Sequence, residues 1–333
     1  MARAGESTMP SPRVADLRAS GIASWRMTAI VTVGVALVAA GVAWMSMTPG
    51  GLAKDFTWPW IAANHVLAGR DPYFEMRATG QYPFNVPFYY PLPAALLATP
   101  FAPLPVSIAG IAFVAISFGV TALVLMRTST HRVAVLLSFP ALMAATLGQW
   151  SPLFLGATIA PALQFVLPVK PTLGIAAFVS RPSRFGAAAS IILLATCFVI
   201  DPHWFASWRS AVAGALPTYT PPIRWAGGAG VVLLAVLVWW RDGDARLVAV
   251  MALAPQLPLF YDQLVLQAVA RTKRETAILV SLSWVGGLIW AFQGPTVPGR
   301  ERPATLPILL TLYLPALLVV AWRNLTINRK VES

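Results

Sequence analysis

Residues 106–126 read VSIAGIAFVAISFGVTALVLM, twenty-one residues without a charged side chain. A helix rises 1.5 Å per residue, so about 20 apolar residues cross a hydrocarbon core of about 30 Å. This run is long enough to cross, and it is not alone. Met27–Met47, Val133–Leu147, Phe185–Ile200, Ala226–Trp240, Val248–Phe260, Ala277–Phe292 and Leu306–Trp322 approach the same length. Pro91–Pro105 and Leu153–Leu167 are apolar but short or broken by proline. Backbone polar groups find no water partner in lipid, so a spanning segment must be a helix or part of a closed barrel. The runs are continuous rather than alternating, which excludes a barrel. Roughly ten hydrophobic segments thus predict an all-α, polytopic transmembrane helical bundle.

Composition agrees. Of 333 residues, 57% are hydrophobic and 11% charged, against about 25% charged in ordinary soluble domains. A net charge of +12 would suggest a nucleic-acid partner in a soluble protein. In a bundle it marks cytoplasmic loops instead, and no nucleic acid is expected. Arg3, Arg13, Arg18 and Arg26 precede or open the first span, and Arg323, Arg329 and Lys330 follow the last. The expected organisation is a cytoplasmic tail over 1–25, one transmembrane bundle over 26–322, and a cytoplasmic tail over 323–333. The first apolar run lacks a small-x-small cleavage site and reads as an uncleaved anchor. The single cysteine, Cys197, excludes a disulfide within the chain and a CxxC metal site. No Walker A, GxSxG, HExxH or EF-hand pattern occurs, so neither a metal nor a cofactor is expected.

A cytoplasmic N-terminus sends the first helix outward into the external loop 48–90, the longest polar stretch. Its charges nearly cancel: Lys54, Arg70 and Arg77 against Asp55, Asp71 and Glu75. Trp58, Trp60, Ile61, Val66 and Leu67 recur at near-helical spacing and Gly69 supplies a helix end, so the loop is expected to be partly structured. Asp71 before Pro72 reads as a turn former. Counting back from the C-terminus places Gln293–Pro303 and Asp201–Trp225 outside, and Arg271–Glu275, Arg241–Arg246, Arg181 and Arg184 inside. Two arrangements stand for the middle. Either Pro91–Pro105 dips in without crossing and Arg127 and Arg132 are cytoplasmic, or it crosses and those arginines break the positive-inside rule.

The external loop runs Asp55, Trp58, Ala62-Ala63, Leu67-Ala68-Gly69, Asp71-Pro72-Tyr73, then Tyr89-Tyr90-Pro91, with Pro100 and Leu104-Pro105 beyond. Gly148-Gln149, Lys170-Pro171-Thr172, Arg181, Arg184 and a Tyr261-Asp262 corner follow. In that order these residues resemble the GT-C glycosyltransferases, and most closely family 87, the polyprenyl-phosphate-mannose-dependent mannosyltransferases. The resemblance covers roughly residues 54–186. It implies a GT-C-like bundle that moves a sugar, mannose by default, from a polyprenyl-phosphate donor to a lipid or glycan acceptor hydroxyl, with inversion. Asp55 stands where that family carries its general base. Donor or acceptor contacts would fall to Lys170, Tyr89, Tyr90, Gln149, Asp262, Trp58 and His203, with no metal and no cofactor. Together with an Ala-, Arg- and Pro-rich composition, it implies a bacterial cell membrane with the active site on the extracytoplasmic face. One spacing departs from the family. Gln149 and Lys170 lie about twenty residues apart, where two full helices are usual, so Leu153–Leu167 is a compact re-entrant segment or a helix pair is missing.

The residue chemistry is compatible with this role. An acceptor hydroxyl needs a carboxylate within about 2.6–3.2 Å, and partial burial makes an aspartate a better base. The leaving group is a phosphate, so a cation suffices, and Lys170 before a helix-starting Pro171 can supply one. Bland roles compete at every position. Asp55 can be a solvated charge or a cap, Tyr89 and Tyr90 interfacial aromatics, Lys170 a snorkelling cation and Asp262 a cap. His203 in the external loop Asp201–Trp225 can be structural, and Trp204, Trp208 and Trp150 can form a sugar-stacking shelf. Two other classes remain: a catalytically silent membrane subunit on the same scaffold, and a transporter of a lipid-linked substrate.

Overall fold

The computed structural model describes residues 14–80, 83, 86–214, 219–293 and 304–332. Arg3, Arg13 and most of the expected external loop Gln293–Pro303 lie outside the described residues, as do the side chains of Arg18, Arg329 and Lys330. The described chain is helical, and its only extended pairing is an isolated bridge between Thr220 and Gln256.

Four helical stretches are long and apolar enough to cross a membrane without a break. They are Trp25–Met45 within α1 (Val14–Met45), α5 (Val106–Thr128), α12 (Lys273–Phe292) and the stretch Thr305–Thr326. The last passes through a π-helical turn at Leu309–Tyr313. Two bent pairs add up to two more. The 3₁₀ segment Thr130–Leu137 meets α6 (Phe139–Leu147) at 63°, and α9 (Arg184–Ile200) meets α10 (Trp204–Ala213) at 96°. Four to six spans make this the architecture of a multi-pass α-helical membrane protein.

The remaining apolar runs are not continuous spanning helices, and local chemistry shows why. Ala226–Trp240 was expected to approach span length as an α-helix but winds as the 3₁₀ segment Ala226–Trp239, entered through left-handed Gly227 (φ 69°) and Gly228 (φ 91°). Val248–Phe260 divides, because α11 (Gly243–Leu253) stops at Ala254, and a residue before proline is driven out of the helical region. The Pro91–Pro105 run forms α4 (Leu92–Ala98) and a 3₁₀ turn at Thr99–Phe101. At 1.5 Å per residue its helical part reaches about 15 Å, half the hydrocarbon core. This run is therefore shorter than a helix that spans the core unaided. Leu153–Leu167 is compact: α7 (Ser151–Ala157) leads into a 3₁₀ segment, Pro161–Val169, and then α8 (Pro171–Ser180).

Small residues let α1 and α5 pack closely and antiparallel. A Cβ added at Gly119 would lie 3.3 Å from that of Ala36, and one at Gly110 would lie 2.2 Å from that of Ala53 beyond the end of α1. Close backbone approach is how helices associate where lipid removes the hydrophobic driving force.

The described residues of the loop 48–90 are partly helical, as the spacing predicted. After a turn at Lys54–Phe56 comes α2 (Thr57–Leu67), closed by Gly69 at φ +67°. Asp71 then caps α3 (Pro72–Glu75), its Oδ1 accepting the Tyr73 N–H at 2.8 Å. Trp58, Tyr73, Met76, Phe88 and Trp204 form a small apolar cluster of their own. The main core is centred on the 3₁₀ segment Tyr261–Val269, all nine residues of which are buried, against α6, α7 and α11.

Candidate functional site

The site begins with a strained turn. Lys54 adopts φ +50°, outside the usual range of a residue with a Cβ, and this turns Asp55 away from the chain's path. Phe56 then anchors the turn. Its ring is buried, stacks on Phe113 with centroids 4.1 Å apart, and meets Phe101 edge-on at 5.6 Å. Asp55 is therefore half-buried beside a fixed aromatic group.

Gly148 brings the partner. It ends α6 in the left-handed region (φ 64°, ψ 45°), and a Cβ there would sit 3.0 Å from the Ala53 carbonyl and 3.2 Å from the Phe56 Cβ. Only glycine combines that conformation with that approach. The turn rests on the Asp55 turn and delivers Gln149, whose Nε2 donates to Asp55 Oδ2. Trp150 follows and packs edge-on to Phe113 at 4.7 Å, so Asp55 and Gln149 share one aromatic floor.

Gln149 also faces the other way. Lys170 Nζ lies 3.4 Å from Gln149 Oε1 and 2.6 Å from Asp262 Oδ1. Lys170 immediately precedes α8, whose N-terminal proline sets the first helical φ. Asp262 opens the buried segment Tyr261–Val269, reached through Phe260 at φ +66°. Ser151 Oγ is 3.5 Å from Asp262 Oδ1, and the Tyr261 ring centroid is 4.8 Å from Lys170 Nζ. The result is a polar ladder, Asp55–Gln149–Lys170–Asp262, built from four separate stretches of chain.

Two tyrosines border the ladder. The Tyr90 side chain hydrogen-bonds Gln149, and burial followed by the charges of Asp55 and Asp262 holds its phenol well above the usual range. Burial, then Asp262 and Asp55, pushes the Tyr219 phenol up in the same way. Both phenols stay protonated near neutrality and can donate hydrogen bonds. Tyr219 is held in place by its neighbours: Thr220 pairs with Gln256, and the Trp225 indole donates to Thr220 Oγ1 at 3.0 Å.

Of the eight residues expected at a site, Asp55, Gln149, Lys170, Asp262 and Tyr90 come together. Tyr89 is adjacent in sequence, and its carbonyl accepts the Trp208 indole N–H at 2.9 Å. Trp58 and His203 have other surroundings. Trp58 is buried in the apolar cluster of the loop 48–90, and its indole donates to the Val86 carbonyl at 3.4 Å. His203 is exposed ahead of α10, its backbone N–H donating to Asp201 Oδ1 at 2.8 Å. The shelf of Trp150, Trp204 and Trp208 does not form. Trp150 and Trp204 are each 2% exposed and belong to different clusters, because the bulky indoles serve two separate cores. Ser151, Tyr261 and Tyr219 were not assigned to the site from the sequence, although Tyr261 was noted in the corner with Asp262. The first two were detectable as neighbours of Gln149 and Asp262, whereas nothing near Tyr219 signals its position. Among the described residues, no group of three or more His, Cys, Asp or Glu side chains is arranged to hold a metal ion.

No protein-family model, curated protein or solved structure matches this chain.

Proposed function

We propose that this protein is an integral membrane glycosyltransferase that moves a sugar from a polyprenyl-phosphate donor to a lipid or glycan acceptor hydroxyl. The observation carrying this reading is the ladder itself, which joins a half-buried carboxylate to a cation through one amide. Its order suits inverting transfer. Asp55 takes the acceptor proton, and Gln149 holds that carboxylate in one orientation. Lys170 meets the phosphate that departs. An ammonium has three N–H donors, and two are directed to Asp262 and Gln149, which leaves one for a phosphate oxygen. Asp262 holds Lys170 in place through their 2.6 Å ion pair. Tyr90 and Tyr219 offer phenolic donors for sugar hydroxyls. The resemblance to family 87 supports mannose as the sugar, a GT-C-like arrangement, and a site on the extracytoplasmic face of a bacterial membrane.

Glycosyl transfer by membranes carrying wild type or Asp55→Asn, supplied with labelled polyprenyl-phosphate sugars and native lipid acceptors, tests the proposal. The isosteric amide should lower transfer by about a hundredfold or more, the scale of a lost general base. Equal transfer by both proteins would remove Asp55 from the chemistry. Absence of transfer from any donor, with lipid still bound, would favour the silent-subunit reading.

One observation favours a second reading. Lys170 and Asp262 sit at the starts of short, discontinuous helical segments, a construction also used to hold cargo in transporters. A carrier of a lipid-linked substrate would move labelled lipid between leaflets of proteoliposomes without transferring its sugar.

A further inference from the structure

A second charged centre lies away from the ladder, and no step above uses it. Asp244, 1% exposed, starts α11 and receives three arginines from distant parts of the chain. Arg271 reaches it at 2.8 Å, Arg323 at 3.0 Å and Arg181 at 3.7 Å. Arg271 also pairs with Asp242 at 3.0 Å. A fourth arginine, Arg132, lies within electrostatic reach of Arg181, Arg271 and Arg323. It is only 8% exposed, and it donates from Nη2 to the Ala268 carbonyl at 2.7 Å.

Three guanidiniums thus share Asp244 and Asp242, while Arg132 has only a carbonyl. With Glu275, whose Oε2 accepts the Arg271 backbone N–H at 2.6 Å, four cations stand against three carboxylates, partly away from solvent. The Nε donors of Arg132 and Arg323 are buried without a hydrogen-bond partner. A buried donor left unpaired costs free energy, and a charged one costs more. The arginines with room to turn outward are Arg181 and Arg271, whose side chains are 39% and 43% exposed over the same spot. Ordinary positive-inside loops would show solvated arginines splayed apart. These converge, and the charge that would balance them is an anion.

Position selects which anion. Arg132 sits in the first half of a bent pair, Arg181 between α8 and α9, Arg271 just before α12, and Arg323 near the end of Thr305–Thr326. All four flank apolar helices on the side that the positive-inside rule gives to the cytoplasm, at the depth of lipid headgroups. A guanidinium fork matches two phosphate oxygens at once. We propose that this cluster is a binding site for the phosphate of an anionic phospholipid headgroup in the cytoplasmic leaflet.

The test uses the full chain, purified in detergent and exchanged into mixed micelles of phosphatidylglycerol or phosphatidylcholine, with retained lipid counted by native mass spectrometry. Phosphatidylglycerol should be retained well above phosphatidylcholine. Arg181→Gln and Arg271→Gln should each lower that retention by about fivefold, the scale of one basic residue at an anionic leaflet. Lys273→Gln/Arg274→Gln, which removes two exposed charges beside the cluster, should leave it unchanged. If Arg271→Gln fails to fold, Arg181→Gln still decides, since its ion pair is the longest of the three. Equal retention of both lipids, or equal loss in the Lys273/Arg274 control, overturns the proposal. Displacement of the lipid by millimolar inorganic phosphate would assign the site to a free anion and overturn the lipid source.

Discussion

Lys170 and Asp262, 92 residues apart in sequence, meet at 2.6 Å in the polar ladder, with side chains only 17% and 4% exposed. A pair this enclosed is costly to break and inexpensive to remove together. Lys170→Met or Asp262→Leu alone should destabilise the protein by about 3–5 kcal/mol, the scale for leaving one buried partner unpaired. The double variant Lys170→Met/Asp262→Leu should recover most of that loss. Thermal unfolding of the four proteins in one detergent measures the coupling, and simple additivity would mean that the two side chains do not interact.

Gly148 tests whether the Asp55–Gln149 contact depends on backbone geometry. Gly148→Ala forces a Cβ into the left-handed region and to 3.0 Å from the Ala53 carbonyl, which should cost about 1–2 kcal/mol. Because Gln149 follows directly, glycosyl transfer should fall further than stability. Gly51→Ala is the control, since it has φ +72° but nothing within 4 Å of the added methyl. It should carry the conformational cost and keep its transfer rate.

The approach of Gly110 to Ala53 fixes the Asp55 turn on α5. A Cβ at Gly110 would fall 2.2 Å from the Ala53 Cβ, so Gly110→Ala must push the two apart. We expect about 1–3 kcal/mol of destabilisation, the range for overpacking. Adding Ala53→Gly removes the opposing methyl and should restore much of the stability. A double variant no better than Gly110→Ala would show that the contact is not what limits packing there.

Asp242 gives a pH prediction. Burial raises its pKa, but the Asp244 backbone N–H, the Asn324 amide and the charges of Arg271 and Arg323 outweigh this and leave it below the ordinary carboxylate value. A depressed folded pKa means that the stabilisation is complete above the unfolded value of about 3.9 and is lost as pH falls through the lower folded value. Wild-type stability should therefore drop below about pH 4. Asp242→Asn should be less stable at neutral pH and show a shallower drop in acid, read from unfolding midpoints between pH 3 and pH 7.

The residues of the ladder were legible one at a time. Asp55, Gln149, Lys170 and Asp262 stand out as polar groups beside apolar runs, and a polar group next to lipid needs a partner. Who partners whom was not legible, because the separations of 94, 21 and 92 residues carry no periodicity. Trp58 and His203 show how residue type alone leaves the surroundings undetermined. Their residue types suit sugar contacts, but Trp58 is absorbed by an apolar cluster and His203 is left in solvent.

The sequence by itself determined the class of the molecule. Long uncharged runs must be helical in lipid, and glycine and aspartate mark the turns of the loop 48–90. Those are local properties, set by hydrophobicity and backbone sterics over a few residues. The tertiary structure decided which runs form helices long enough to cross and which stop short, since proline, Gly227 and Gly228 break helices whose composition alone would let them continue. It also decided that Arg132, Arg181, Arg271 and Arg323 gather around Asp244, and that one amide joins Asp55 to Lys170. Such pairings depend on how helices from distant stretches pack, and close packing is a property of the whole bundle rather than of any segment in it.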